Sequence, residues 1–158
     1  MRKIFLAVAA LLALAGCSSN DTGASTQQPT AGAPAAKSPC TADDIKVDGA
    51  FGKKPTITIP DTCAPPTKLV TKDLSAGTGK EAKEGATVDT NYLLVTWSDK
   101  QVLDNSFDRG EPYPLENLGH AQVIDGWNQG MIGIKQGGRR LLIIPPDKAY
   151  AHSGCGAR

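Results

Sequence analysis

The sequence carries no surplus of charge: 17 basic residues stand against 16 acidic ones, a formal net of +1. A nucleic-acid binder would show a clustered basic face, so no nucleic acid is expected as a partner. Arg139-Arg140 and Lys53-Lys54 are only short pairs and read as solvated surface. Cys-x-x-Cys does not occur and histidines number 2, which argues against a thiol-redox or zinc site. No internal repeat is visible. The apolar stretch Ile4 to Leu14 is too short to count as a spanning helix.

That stretch follows Arg2-Lys3 and ends at Leu14-Ala15-Gly16-Cys17, which matches the bacterial lipobox and resembles the signal of secreted lipoproteins. The resemblance implies removal of residues 1–16 as a signal peptide and lipidation of Cys17. The chain is then expected in the cell envelope, lipid-anchored to the outer face of the cytoplasmic membrane. An ordinary signal peptide with an incidental cysteine is the alternative. Residues 17–39 read as the lipidated cysteine and a flexible linker: from Ser18 the segment is mostly Ser, Thr, Ala, Gly, Gln and Pro without an aromatic residue, and cannot bury enough apolar surface to offset its chain entropy.

Residues 40–66 read as an N-terminal extension. Outside the cytoplasm disulfides are allowed. Cys40 and Cys63 flank Asp43–Val47 and Pro55–Pro60, and a bridge between them would stabilise this small segment by roughly 3 kcal/mol on the loop-entropy view. Two buried free thiols remain the other reading, and Cys155 is left as an odd thiol.

Residues 67–158 read as the principal domain. Leu69–Leu74 is expected as a strand, followed by a turn at Ser75–Gly79. Thr87–Trp97 is β-rich, with Val88 and Tyr92 on one face and Asp89 and Asn91 on the other. Val102–Asp104 is a short strand and Ser106–Gly110 a loop. Asp125 is placed to cap a short helix in which Trp127, Met131 and Ile134 share a face, while Gly126, Gly130 and Gly133 keep it to one or two turns. Arg140–Ile144 is a buried strand that Pro145-Pro146 ends. Strands at short spacing with one short helix make an α+β domain.

The stretch Val123-Ile124-Asp125-Gly126-Trp127, with Gly130, Gly133, Gly137-Gly138-Arg139-Arg140, Ile144-Pro145-Pro146 and Ala149-Tyr150, resembles the heart of the FKBP-type peptidyl-prolyl cis-trans isomerase domain. With the lipobox, the whole is similar to a bacterial, actinobacterial-like lipoprotein form of that family. The resemblance covers about Lys68 to Gly154 and implies an FKBP-like antiparallel sheet wrapped around the short helix. Position by position it implies that Tyr92 and Tyr113 are aromatic walls, Phe107 lines the pocket and Asp108 pairs with polar groups at its edge. Val123 and Ile124 match a pair whose second member offers a backbone amide to a peptide carbonyl. Trp127 would form the floor under a proline ring, and Tyr150 would donate its hydroxyl to the substrate carbonyl. Each has an ordinary reading as a core, strand, turn or surface residue; their order and spacing favour the site.

Such a site needs no cofactor. The partners implied are proline-containing polypeptides, macrolide inhibitors of the family, and a membrane through the lipid anchor. The function implied is prolyl isomerisation assisting the folding of exported proteins at the cell surface. The alternatives are a non-catalytic, chaperone-like proline-peptide binder or an inactive fragment. Two departures stand out. Ala151 follows Tyr150 where the family usually has Gly, and only Ala151–Arg158 follows where the family continues with a loop and a last strand. The domain is therefore expected to be C-terminally truncated, its last strand missing; the alternatives are that a segment such as Thr56–Ile59 completes the sheet or that the domain is a degenerate one.

Overall fold

The computed structural model describes residues 36–150. The expected signal peptide, Cys17, most of the linker and the segment after Tyr150 lie outside the described residues. No helix among the described residues is long and apolar enough to cross a membrane.

The extension forms a hairpin of β1 (Lys46–Asp48) and β2 (Thr56–Thr58), paired antiparallel with Val47 opposite Ile57. A disulfide joins Cys40 to Cys63 at its base, with Cα atoms 5.0 Å apart. Strand β2 pairs with β1 and with no other strand among the described residues, so Thr56–Ile59 does not complete a larger sheet. The hairpin instead lays Ile45, Val47, Ile57 and Ile59 on Leu141, Ile143, Val70 and Trp97.

Strand β3 (Val70–Ser75) is followed by β4 (Val88–Thr90) and β5 (Leu93–Val95). Thr87–Trp97 is thus not one strand. It breaks at Asn91-Tyr92 because its halves take different partners: β4 pairs with β7 (Tyr113–Leu115) and β5 with β6 (Val102–Asn105). At the break the Tyr92 amide donates to Ser106 Oγ at 3.0 Å, and the Tyr92 carbonyl accepts from the Ser106 amide at 3.0 Å.

Helix α1 spans Asp125–Gly130. Asp125 is its first residue, not its cap; Ile124 occupies the cap position with extended backbone and makes no side-chain capping bond. The glycines of this helix serve close approach to β8 (Arg139–Ile143): a Cβ on Gly130 would lie 2.7 Å from Leu142, and one on Gly126 would collide with Ile144. A 3-10 turn at Pro146–Lys148 follows.

The fold is α+β, all its strand ladders antiparallel around one short helix, but among the described residues the strands form four separate pairs. No ladder joins β5 to β8; residues of both line a hollow of ≈ 990 Å³. Arg139-Arg140 is not a free surface pair. Arg139 donates to the carbonyls of Gly49, Ala50 and Lys53, and Arg140 to Asp73 and to the carbonyls of Gly130 and Ile132. Lys54 is equally engaged, on Asp108.

Candidate active site

Three aromatics meet beside the hollow, which Tyr92 and Trp127 line and Tyr113 flanks from outside. Trp127 comes from α1, Tyr113 from the first residue of β7, and Tyr92 from the break between β4 and β5. Ring centroids are 4.9 Å apart for Tyr92–Trp127 and 6.1 Å for both Tyr92–Tyr113 and Tyr113–Trp127, all edge to face. This geometry sets the positive ring edge against the negative face and leaves an apolar, π-lined surface. Beneath it pack Ala82, Leu115 and Leu118, with Val88, Val123, Met131 and Ile134 around them.

Buried polar groups hold the corner in place. The Ser106 hydroxyl, fully buried, fixes the Tyr92 backbone and bonds Asn91 Oδ1 at 3.2 Å. Asn128, also buried, accepts from the amides of Gly119 and Ala121 and donates to the Ala121 carbonyl, each at 3.0 Å. That clamp ties the loop carrying Val123 and Ile124 to α1. Val123 lies in the packed cluster rather than on the hollow, whereas Ile124 lines it. The first amides of a helix lack intrahelical acceptors, so the start of α1 leaves donors beside Trp127.

A polar rim closes the corner. The Tyr92 hydroxyl donates to Asp104 Oδ2 and accepts from Arg109 Nη2 at 2.7 Å; Arg109 Nη1 donates to Asp104 Oδ1 at 2.6 Å. The guanidinium also lies 5.4 Å from the Tyr92 ring centroid. Burial, then the bond to Asp104, pushes the Tyr92 hydroxyl pKa up, with Arg109 working the other way. The Tyr92 and Arg109 donors hold the Asp104 carboxyl below its ordinary value.

Asp108 is not the acid at this edge. Its carboxylate accepts from Lys54 Nζ at 2.6 Å and from Asn105 Nδ2 at 2.9 Å, and it faces the hairpin; Lys54 and then Asn105 lower its pKa. Asp104 takes the place expected of Asp108 because the turn starting at Ser106 folds Asp108 back on Asn105 and toward Lys54 rather than toward Tyr92. Phe107, half-buried, lines the hollow, as does Leu103. Tyr150 stands on the hollow too, 45% exposed. Asp104, Arg109, Ser106 and Asn128 were missed in the sequence; the signal for the first two is an Asp and an Arg bracketing a tight turn after a short strand. Among the described residues no group of His, Cys, Asp or Glu could hold a metal ion.

The family model described as FKBP-type peptidyl-prolyl cis-trans isomerase matches residues 78–158. The chain is 43% identical over 104 residues to an FK506-binding protein of Streptomyces anulatus, covering 66% of this chain and 82% of the relative. It is 41% identical over 106 residues to a probable FK506-binding protein of Corynebacterium glutamicum, covering 66% and 85%. With the FKBP-type isomerase FkpA of Escherichia coli it shares 42% over 88 residues, which is 56% of this chain but 31% of that one. A solved structure titled as that of AtFKBP13 is 33% identical and covers 60% of this chain and 78% of its own, at a TM-score of 0.49. The aromatic corner thus lies within the matched region, and the chain belongs to the FKBP-type peptidyl-prolyl cis-trans isomerase family.

Proposed function

We propose that Trp127, Tyr92 and Tyr113 receive the proline side of a peptidyl-prolyl bond, with Ile124, Phe107 and Tyr150 along the rest of the hollow. The observation that carries this reading is the edge-to-face trio, at 4.9 to 6.1 Å, whose Tyr92 and Trp127 line a mainly apolar hollow.

The chemistry asks little more. The imide C–N bond has partial double-bond character, and rotation about it faces a barrier of about 20 kcal/mol. No bond breaks, so neither nucleophile nor proton shuttle is needed. The twisted imide loses resonance, so its carbonyl sheds charge separation while its nitrogen keeps its lone pair to itself. A water-poor aromatic surface favours that state over the planar one, which is how a binding site lowers a barrier. On this reading the Ile124 amide and the Tyr150 hydroxyl donate to carbonyls flanking the proline and hold the chain while the bond turns. The Arg109–Asp104 pair keeps the Tyr92 ring fixed rather than transferring a proton.

The substrates proposed are exported proteins folding at the cell surface. The lipobox at Leu14–Cys17 supports that placement: lipid chains on Cys17 contribute roughly 0.8 kcal/mol per buried methylene. Relatives named FK506-binding proteins support a macrolide as a competing ligand. A binding-only reading has one observation in its favour: the hollow of ≈ 990 Å³ is far larger than a proline ring requires.

A protease-coupled assay on a proline tetrapeptide tests the site. Trp127→Ala should lower kcat/KM about tenfold, equivalent to about 1.4 kcal/mol of barrier. An undiminished rate in a folded variant would remove Trp127 from the site, and binding without any acceleration by the wild-type chain would leave the binding-only reading.

A further inference from the structure

The hairpin of residues 40–63 lies outside the matched family region, yet its tip reaches the loop that frames the aromatic corner. Lys54 Nζ lies 2.8 and 2.6 Å from the two carboxylate oxygens of Asp108. Asp108 is locked to Asn105 twice: its amide donates to Asn105 Oδ1 at 2.8 Å, and its carboxylate accepts from Asn105 Nδ2 at 2.9 Å. The next residue is Arg109, whose amide donates to the Ser106 carbonyl at 3.1 Å and whose guanidinium grips Tyr92 and Asp104. On its other side the tip is held by Arg139, which takes the carbonyls of Gly49 and Ala50 at 2.8 Å each. The hairpin is thus anchored to β8 by one arginine and bonded by one lysine to the turn that aims another.

We propose that Lys54 is a positioning residue for the isomerase: through Asp108 it fixes the Asn105–Gly110 turn, and so sets Arg109 against Tyr92. This rests on the site reading above. Coupling of this kind needs a contiguous chain of contacts, and here every link is a hydrogen bond or a peptide bond. Both ends of the Lys54–Asp108 pair are partly exposed, with side-chain accessibilities of 40% and 62%, so the effect is modest and sensitive to salt.

The test is a double-mutant cycle of Lys54→Met and Asp108→Asn in the peptide assay, with tyrosine labelled at Cζ for NMR. Each single variant should lose about threefold in kcat/KM, the scale that an exposed pair can carry, and the double variant no more than either. Lys54→Arg should keep the activity, because a guanidinium can still donate to Asp108. In Lys54→Met the Tyr92 titration should move up, because Arg109 holds it down and would grip it less well. That readout does not depend on turnover. Losses that simply add, or rates and a Tyr92 titration equal to wild type in Lys54→Met, would overturn the role of Lys54 and leave the site reading standing. An inactive wild-type chain would overturn both.

Discussion

The two apolar clusters of this chain are held together in different ways. The corner beneath the aromatic trio centres on Leu115 and Leu118, 1% and 0% exposed, and is secured by backbone ladders and the Asn128 clamp. The cluster around Ile45, Leu141 and Ile143 is 6 to 8% exposed and joins chain segments some 90 residues apart. A disulfide closes its hairpin half on itself, and side-chain bonds such as those of Arg139 and Lys54, not a shared sheet, tie that half to the rest. The tighter packing thus lies beneath the aromatic corner, the proposed proline site, while the far wall rests on a hairpin stapled only to itself and borders the hollow.

Removing one side chain from each cluster should separate them by the widest margin. Leu118→Ala should cost about 2–5 kcal/mol, the range for a buried leucine whose cavity cannot collapse. Ile57→Ala, half-buried in the hairpin, should cost less than half as much, because its surroundings can settle into the hollow. Urea denaturation of the two variants measures the difference, and equal losses would mean that the clusters are equally tight.

The disulfide sharpens the contrast. Replacing Cys40 and Cys63 together by Ser should cost roughly 3 kcal/mol on the loop-entropy account. The loss should be local. Amide exchange should speed up across Lys46–Asp48 and Thr56–Thr58, while Val88–Thr90 and Tyr113–Leu115 keep their protection, because the corner has its own ladder. Accelerated exchange in both places would show that the hairpin carries the whole domain.

Much of the corner could be read from the residues alone. The spacing of Trp127, Met131 and Ile134 correctly groups them in one cluster, but not on one helix: α1 ends at Gly130, so Met131 caps it and Ile134 lies beyond. The α+β class follows from short strands around one glycine-rich helix. What escaped depends on partners distant in sequence. The break at Asn91-Tyr92 exists because β4 and β5 pair with different strands, a choice invisible in a run of β-forming residues. Asp104 and Asp108 are both acids near one turn; only the path of that turn decides which faces Tyr92. Lys54 and Arg139 look like solvated cations until the hairpin folds back, bringing carbonyls to Arg139 and carrying Lys54 to the Asp108 carboxylate.

The smallest expected effect separates the two regions by pH. The Asp104 and Asp108 carboxyls are both held below their ordinary value, by Tyr92 and then Arg109 for the first, by Lys54 and then Asn105 for the second. A depressed folded pKa gives stability that is present above the unfolded value of about 3.9 and is lost as pH falls through the folded one. Tyr92 has the opposite sign: raised by burial and Asp104, it stabilises fully below its ordinary value of about 10, and that contribution goes as pH rises through the higher folded value. Thermal unfolding followed across pH should therefore show an acid limb and an alkaline limb with these groups silent between them. Asp108→Asn should shrink the acid limb alone. Asp104→Asn should shrink both, because the same carboxylate that is held down in acid is what helps to hold the Tyr92 proton in base. If the two variants gave the same profile, the corner and the hairpin contact would be one electrostatic unit, and the division drawn between them would fail.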